Sequence, residues 1–183
     1  MSGIDLVSLW EAHCRYEFET RDVNATMATM VAEPYVNHVP TMTGGVGHDQ
    51  LKRFYKYHFI GVNPPDFRMV PVSRTVGATS LVDEFVVYFT HTVQIDWLLP
   101  GIAPSGRKVE IPTVAIVNFE GDKLISEHIY WDQASVLVQV GLLDPAGLPV
   151  AGVETARKVL DRRLPSNTMM ARWKDSASQD LST

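Results

Sequence analysis

The sequence predicts an α+β fold, a cone-shaped α+β barrel in which N-terminal helices cover a curved, mixed but mostly antiparallel sheet. Apolar residues recur at helical spacing through residues 5–59, whereas residues 67–132 are rich in Val, Phe, Tyr and Thr in runs typical of strands. Helices and strands that are segregated along a chain are typical of α+β domains. A long bent sheet closed at one end by helices encloses a deep apolar cavity, and small-molecule sites usually lie in such cavities.

The helical third of the chain divides into three segments. Within residues 4–17, side chains three and four apart form one mostly apolar stripe. Asp22 caps a second helix that ends before Pro34, because proline disfavours helical geometry in the residue before it. A short extended piece and a glycine-rich turn then precede a third helix over residues 48–59.

The rest of the chain alternates between strand and turn before it returns to helix. Glu120-Gly121-Asp122-Lys123 is a good hairpin turn between two strands. The predicted elements are strands 67–75, 79–97, 109–119 and 124–132, followed by helices 133–143 and 153–164.

The composition is that of an ordinary globular chain. Its 183 residues are 45% hydrophobic and 20% charged, with a net charge of −5. This excludes a wholly disordered chain and argues against a nucleic-acid-binding face. Cys14 is the only cysteine, which excludes an intrachain disulfide and a four-cysteine zinc site. At about 150 residues per domain, the length predicts one compact domain with an extra C-terminal arm. Asp144-Pro145 stops the helix that follows the last strand, so we expect a barrel domain over residues 1–145 and a helical arm with a polar tail over residues 146–183.

The sequence has no sign of a membrane or export segment. No apolar run approaches the roughly 20 residues that a membrane span needs. The first ten residues carry Asp5 and have no basic region before an apolar run, unlike a signal peptide. We therefore expect a cytoplasmic protein that does not bind a membrane.

Four ordered segments between residues 5 and 143 resemble one family. The segments are Tyr35-Val36-Asn37-His38 with 47–55, Thr90-His91-Thr92 with 99–107, 118–125, and Tyr130-Trp131-Asp132 with 138–142. Together they resemble the SnoaL-like polyketide cyclase family, within the nuclear-transport-factor-2-like superfamily of cone-shaped α+β barrels. That superfamily includes cyclases, isomerases, dehydratases and non-catalytic subunits, so the resemblance implies the fold and leaves the function to the site.

Asp132 and His38 are the candidate catalytic residues. Asp132 follows apolar and aromatic residues at a strand end, where desolvation would raise its pKa. The resemblance places Asp132 at the family's acid/base aspartate and His38 at a pocket histidine that can carry a proton. The alternative for Asp132 is an N-cap on the following helix, and the alternative for His38 is a satisfied, half-buried histidine.

Six further side chains are candidates for substrate binding. His91 shares a strand face with apolar residues, and it anchors a ligand if that face lines the cavity; otherwise it is a core histidine. Tyr55 and His58 lie three apart on the third helix, where plain aromatic packing is the alternative. In the last strand, His128 and Asp132 share one face, and we expect Trp131 on the other face to pack elsewhere. The candidates are Tyr35, Tyr55, His58, His91, Trp97 and His128.

These candidates predict cofactor-free acid/base chemistry of cyclase, isomerase or dehydratase type on an apolar carbonyl compound. Asp132 would take a proton from the carbon next to the carbonyl, and His38 or a tyrosine would stabilise the enolate. This hypothesis requires Asp132, His38 and at least one of Tyr55, His58 and His91 to converge on one cavity. The alternative is a non-catalytic protein that binds a small apolar ligand there. The histidine spacing favours no metal site, and we expect neither a metal nor a cofactor.

The sequence also predicts a homodimer. The second face of the long strand mixes apolar and hydroxyl side chains, which suits a subunit contact on the convex surface of the sheet. We expect the arm after Pro145 to fold over the partner or the barrel. The residues of this face are Val86, Tyr88, Thr90, Thr92 and Gln94.

Overall fold

The computed structural model describes residues 4–180, and its centre is one six-stranded sheet. The strands are β1 (Met30–His38), β2 (Thr43–Val46), β3 (Arg68–Val76), β4 (Ser80–Thr90), β5 (Lys108–Glu120) and β6 (Lys123–Trp131). They lie in the order β2-β1-β6-β5-β4-β3. β1 and β6 are parallel, and every other neighbouring pair is antiparallel. The sheet is curved and does not close, which confirms the predicted α+β class with a mixed, mostly antiparallel sheet.

Three N-terminal helices cover the inner face of this sheet. Asp5 accepts a hydrogen bond from the Ser8 amide at 3.1 Å and so caps the first helix. Asp22 caps the second helix by accepting from the amides of Asn24 and Ala25. Each cap satisfies amides that a helix start leaves without partners. The helices are α1 (Leu6–Phe18), α2 (Val23–Ala28) and α3 (His48–Phe54), and α3 continues directly into a π-helical turn, Tyr55–Phe59.

Two strand boundaries differ from the prediction. β1 begins at Met30 and runs through Pro34, because a register shift in its pairing with β6 between Met30 and Tyr35 accommodates the proline. β4 ends at Thr90 instead of reaching Trp97. There the Asp66 carboxylate accepts from the backbone amide and the hydroxyl of Thr90, so the strand's last amide bonds a side chain instead of a strand.

The chain after β6 packs on the outer face of the sheet. α4 (Gln133–Val140) lies beside β5, where the Gln139 amide exchanges two hydrogen bonds of 2.9 Å with the backbone of Glu110. α5 (Glu154–Leu160) also contacts β5. Val86, on the face predicted for a subunit contact, is already fully buried within this one chain. No helix among residues 4–180 is long and apolar enough to cross a membrane.

Candidate functional site

A cavity of about 510 Å³ lies between α1 and the inner face of the sheet. This volume is within the range of about 300 to 1,000 Å³ that small-molecule sites occupy. Its exposed lining residues come from α1, from the residue that ends it and from β3, so the opening lies between these two elements. The exposed residues at the opening include Glu11, Arg15, Glu19, Pro71 and Arg74.

Aromatic rings form a continuous wall of the cavity. Phe18 and Phe67 stack at 5.4 Å between ring centroids near the opening. Phe67 then meets Trp97 at 6.4 Å, and Trp97 meets Trp131 edge to face at 5.7 Å. Such pairs stabilise one another beyond the area they bury. The wall therefore offers a rigid apolar surface to a ligand.

Two buried carboxylates interrupt this apolar lining. Glu17 of α1 and Glu127 of β6 both line the cavity, and each is 3% exposed. Each places its Oε1 atom 3.1 Å from the same atom, Nε2 of His13, which is fully buried behind them. Helical geometry brings His13 and Glu17 together, because residues four apart lie on the same helix face.

The hydrogen bonds of His13 determine which of its nitrogens carries a proton. Nδ1 lies 2.6 Å from the Thr29 hydroxyl, which itself donates to the Thr26 carbonyl. Nδ1 must therefore donate to Thr29, and Nε2 faces the two carboxylates. Burial lowers the pKa of His13, but the charges of Glu17 and Glu127 outweigh this effect and raise it to about 10. His13 is thus a buried cation at neutral pH, and burial raises the pKa of Glu17.

Tyr55 completes this group from the π-helical turn. Its hydroxyl lies 3.4 Å from both Nε2 of His13 and Oε1 of Glu127. Burial raises the pKa of Tyr55 well above its usual range, so the hydroxyl stays protonated. The turn widens the helix at this point, and π-helical turns occur frequently at functional sites.

His38 lines the same cavity from the end of β1, within the aromatic wall. Its ring centroid lies 5.1 Å from that of Trp97 and 5.3 Å from that of Phe59. Nδ1 lies 3.3 Å from the Thr43 carbonyl oxygen, which only accepts, so Nδ1 carries the proton and Nε2 keeps its lone pair. Burial lowers the pKa of His38 to about 4. At neutral pH, His38 is therefore an uncharged hydrogen-bond acceptor.

Asp83 fastens α1 to the sheet beside the opening. Its carboxylate accepts from the indole of Trp10 at 2.9 Å and from Nε and Nη2 of Arg74 at 3.0 and 2.8 Å. Arg74 also donates from Nη1 to Glu11 at 2.8 Å. The hydrogen bonds from Asp83 raise the pKa of Arg74. This guanidinium is thus fully engaged by protein carboxylates.

Of the two candidate catalytic residues, His38 lines this cavity and Asp132 does not. Asp132 is exposed and does not line it; its side chain caps α4 by accepting from the Ser135 amide at 3.2 Å. The chain turns at Asp132 from β6 into α4, which carries the carboxylate out of the sheet's inner face. Of the predicted group, His38 and Tyr55 line the cavity together, whereas Asp132 lies outside it in the capping position that the alternative interpretation gave it.

Of the six substrate-binding candidates, two line the cavity and four do not. Trp97 and Tyr55 line the cavity. His58 is partly exposed and lies 3.0 Å from Asp96. His91 is fully buried and accepts from the Ser105 amide; its Nε2 has no partner among residues 4–180. Two other candidates pack on each other away from the cavity, with ring centroids 5.3 Å apart: Tyr35 and His128.

Trp131 lines the cavity, contrary to the expectation that it packs elsewhere. It shares the inward face of β6 with Glu127 and Ile129, so the face that carries His128 points outward. Sequence reasoning missed His13, Glu17 and Glu127. Two signals were available: His13 and Glu17 stand four apart on an otherwise apolar helical stripe, and Glu127 alternates with two large apolar residues in a strand.

The chain was compared with curated protein sequences, with solved structures and with protein families. No curated protein sequence matches it. In fold it is similar to TsrD from Streptomyces laurentii, with 15% identity, a TM-score of 0.58, and an alignment covering 76% of this chain and 99% of that one. It is also similar to a candidate SnoaL-like polyketide cyclase from Jannaschia sp. CCS1, with 18% identity, a TM-score of 0.57, and coverage of 79% and 98%.

A third similar structure contains a ligand. It is a protein with a ketosteroid-isomerase-like fold from Catenulispora acidiphila DSM 44928 in complex with trimethylamine. The two chains are 17% identical with a TM-score of 0.53, and the alignment covers 78% of this chain and 96% of that one. At these identities the likeness establishes the shared fold. The sequence profile of the SnoaL-like domain matches residues 10–128, and the chain therefore belongs to the SnoaL-like domain family.

Proposed function

We propose that this chain is a cofactor-free acid/base enzyme of isomerase, lyase or cyclase type, which acts on an apolar carbonyl compound in the cavity. One observation carries the proposal: Glu17 and Glu127 meet at a single histidine nitrogen on the wall of a mostly apolar cavity. Burial makes Glu17 a stronger base than a carboxylate in water, because its charge is poorly solvated.

Glu17 is the proposed proton carrier. Burial raises its pKa towards the pH at which the enzyme would work, where general acid/base catalysis is most effective. Glu17 would take a proton from the carbon next to the substrate carbonyl and return it at another position. His13 remains a cation throughout and holds Glu17 and Glu127 in place.

Tyr55 is the proposed donor to the enolate oxygen. Its protonated hydroxyl lies beside the carboxylate pair, and such a donor stabilises charge that develops on oxygen. His38 suits a different role, since its free Nε2 can only accept. We therefore propose that His38 binds a substrate hydroxyl and that Tyr55 alone stabilises the enolate.

Deuterium exchange tests this proposal without knowledge of the natural substrate. β-Tetralone, an apolar cyclic ketone, is incubated with the protein in D₂O near neutral pH, and exchange at its α-carbons is followed by NMR. We expect the protein to accelerate exchange, and Glu17→Gln to lower the rate by at least about 100-fold, a typical contribution of a general base. Glu120→Gln is the matched control, because it makes the same change at an exposed position at the end of β5.

Asp132→Asn separates this proposal from the hypothesis based on sequence. If Asp132→Asn abolishes exchange while Glu17→Gln leaves it intact, the proposed base is wrong. A third outcome would favour the non-catalytic alternative: cyclic ketones bind in the cavity, but none of them exchanges faster with the protein than without it.

Some expectations about the whole protein also stay proposals. They are a homodimer formed through the convex sheet surface, a cytoplasmic location, and the division into a domain over residues 1–145 and an arm over residues 146–183. Light scattering at micromolar concentration tests the first, because a monomer would contradict it.

A further inference from the structure

The charge of the cavity lining is unbalanced. Among the described residues that line it, five are carboxylates and two are guanidinium groups. Both guanidinium groups belong to exposed or part-exposed residues at the opening, and that of Arg74 is engaged by Asp83 and Glu11. In the buried part, the one cation that residues 4–180 place near Glu17 and Glu127 is His13, which lies behind them. Two carboxylates there thus share one positive charge.

The same space is lined by aromatic rings. Glu17 precedes Phe18 in α1, and Glu127 shares its strand face with Trp131. The faces of aromatic rings attract cations, most strongly when the cation is removed from water. Carboxylates and ring faces around one apolar space therefore both favour a positive charge.

We propose that the cavity binds an apolar organic cation, so that the substrate is a carbonyl compound carrying a basic or quaternary nitrogen. The nitrogen would lie against the aromatic wall within reach of the two carboxylates. A neutral ligand of the same shape would gain the apolar contacts alone. Beside Glu17 and Glu127 an anionic ligand would meet two carboxylates, and the cation there, His13, is already paired with both of them, so binding of an anion at this place should be weakest.

Equilibrium binding of three small probes tests this inference. Phenyltrimethylammonium carries a permanent charge, tert-butylbenzene has the same shape without the charge, and benzoate is an anion. Binding can be followed by tryptophan fluorescence, because Trp10, Trp97 and Trp131, three of the four tryptophans, line the cavity. We expect phenyltrimethylammonium to bind at least about tenfold more tightly than tert-butylbenzene at low salt, and benzoate to bind most weakly.

Variants assign this preference to the buried carboxylates. Glu17→Gln and Glu127→Gln should each reduce the ratio of the two affinities while leaving tert-butylbenzene binding within about twofold. Glu120→Gln, which changes the net charge equally at an exposed position, should leave the ratio unchanged. The comparison of probes on the unaltered protein needs no variant, so it decides the matter even if a substitution prevents folding.

Three results would overturn the inference. The first is tert-butylbenzene or benzoate binding as tightly as the cation. The second is a cation preference that is undiminished in both Glu17→Gln and Glu127→Gln. The third is binding of Zn²⁺ by the protein, without binding of phenyltrimethylammonium. The ligand atoms of His13, Glu17 and Glu127 lie within 4.8 Å of one another. The excess negative charge would then serve a metal ion instead of an organic cation.

The inference rests on the proposed function, because it treats the cavity as a substrate site, but the two can fail separately. Cation preference without deuterium exchange in any ketone would overturn the enzymatic proposal and leave this one standing. Exchange that depends on Glu17, without a preference for the cation, would do the reverse.

Discussion

Nε2 of His13 and Oε1 of Glu127 lie 3.1 Å apart, although His13 belongs to the first helix and Glu127 to the last strand. This contact joins the helical layer to the sheet through a buried charge at the wall of the cavity. The groups that hold the helix against the sheet are thus the same groups to which we assign the proposed chemistry. Changes in their protonation should appear in stability as well as in activity.

The protonation of His13 should make the protein less stable as the pH rises. Its pKa is raised from 6.5 to about 10 in the folded chain by the charges of Glu17 and Glu127, which outweigh burial. The stabilisation by protonated His13 is complete below the pKa that His13 has in the unfolded chain. It is lost as the pH rises through the pKa that His13 has in the folded chain. We expect the free energy of unfolding in urea to fall between pH 6.5 and about 8.5, by up to about 1.4 kcal/mol per pH unit.

His13→Gln is the variant that isolates this effect. It cannot titrate, so its free energy of unfolding should depend less on pH over the same interval. Cys14, the single thiol of the chain, also titrates in the unfolded state near the upper end of this interval, but it is present in both proteins, so its effect cancels in the comparison. Equal pH dependence in the two proteins would show that His13 is not a buried cation.

His38 should make the protein less stable as the pH falls. Burial lowers its pKa to about 4, so between about pH 6.5 and 4 the unfolded chain binds a proton at His38 that the folded chain does not. Stability should therefore fall on acidification through this window, and His38→Gln should reduce that loss. His48→Gln is the control, because His48 is 48% exposed. The idea fails if the two variants have the same acid dependence.

The fold could be predicted from the sequence because each element follows a local pattern. Asp22 and Asp132 do cap helices, and the turn at Gly121 does join two strands. The end of β4 was not predictable in this way, because the side chain that bonds its last amide, Asp66, lies in a different segment of the chain.

The site was only partly predictable, and the reason is geometric. Alternation in β6 defines two faces but does not say which one points inward. The apolar residues before Asp132 favoured its face as the inward one, but the inward face is the one that carries Glu127 and Trp131. The pairing of Glu127 with His13 depends on how α1 crosses the sheet, and no local spacing in the sequence records that crossing.

Asp83 should be important for stability at the opening. It accepts three hydrogen bonds, from Trp10 and Arg74, and is 9% exposed. Asp83→Asn removes the charge that pairs with Arg74, so we expect a loss of about 1–3 kcal/mol in the free energy of unfolding. Glu84→Gln, on the opposite face of the same strand, should cost less than about 1 kcal/mol because its partner Ser73 is at the surface. Equal losses would contradict this account.

Ala115→Phe should fill the cavity and abolish ligand binding while the protein stays folded. Ala115 and Val117 lie two apart on the inward face of β5, and both are buried, but Ala115 lines the cavity and Val117 does not. A larger side chain at Val117 has no space to enter, so Val117→Phe should lose about 1–3 kcal/mol of stability by overpacking. Ala115→Phe should lose less, because its ring can occupy the cavity of about 510 Å³. Urea unfolding and phenyltrimethylammonium titration of both variants measure the two effects. An Ala115→Phe variant that binds the cation normally, or that is destabilised as much as Val117→Phe, would show that the space beside Ala115 is not the ligand site.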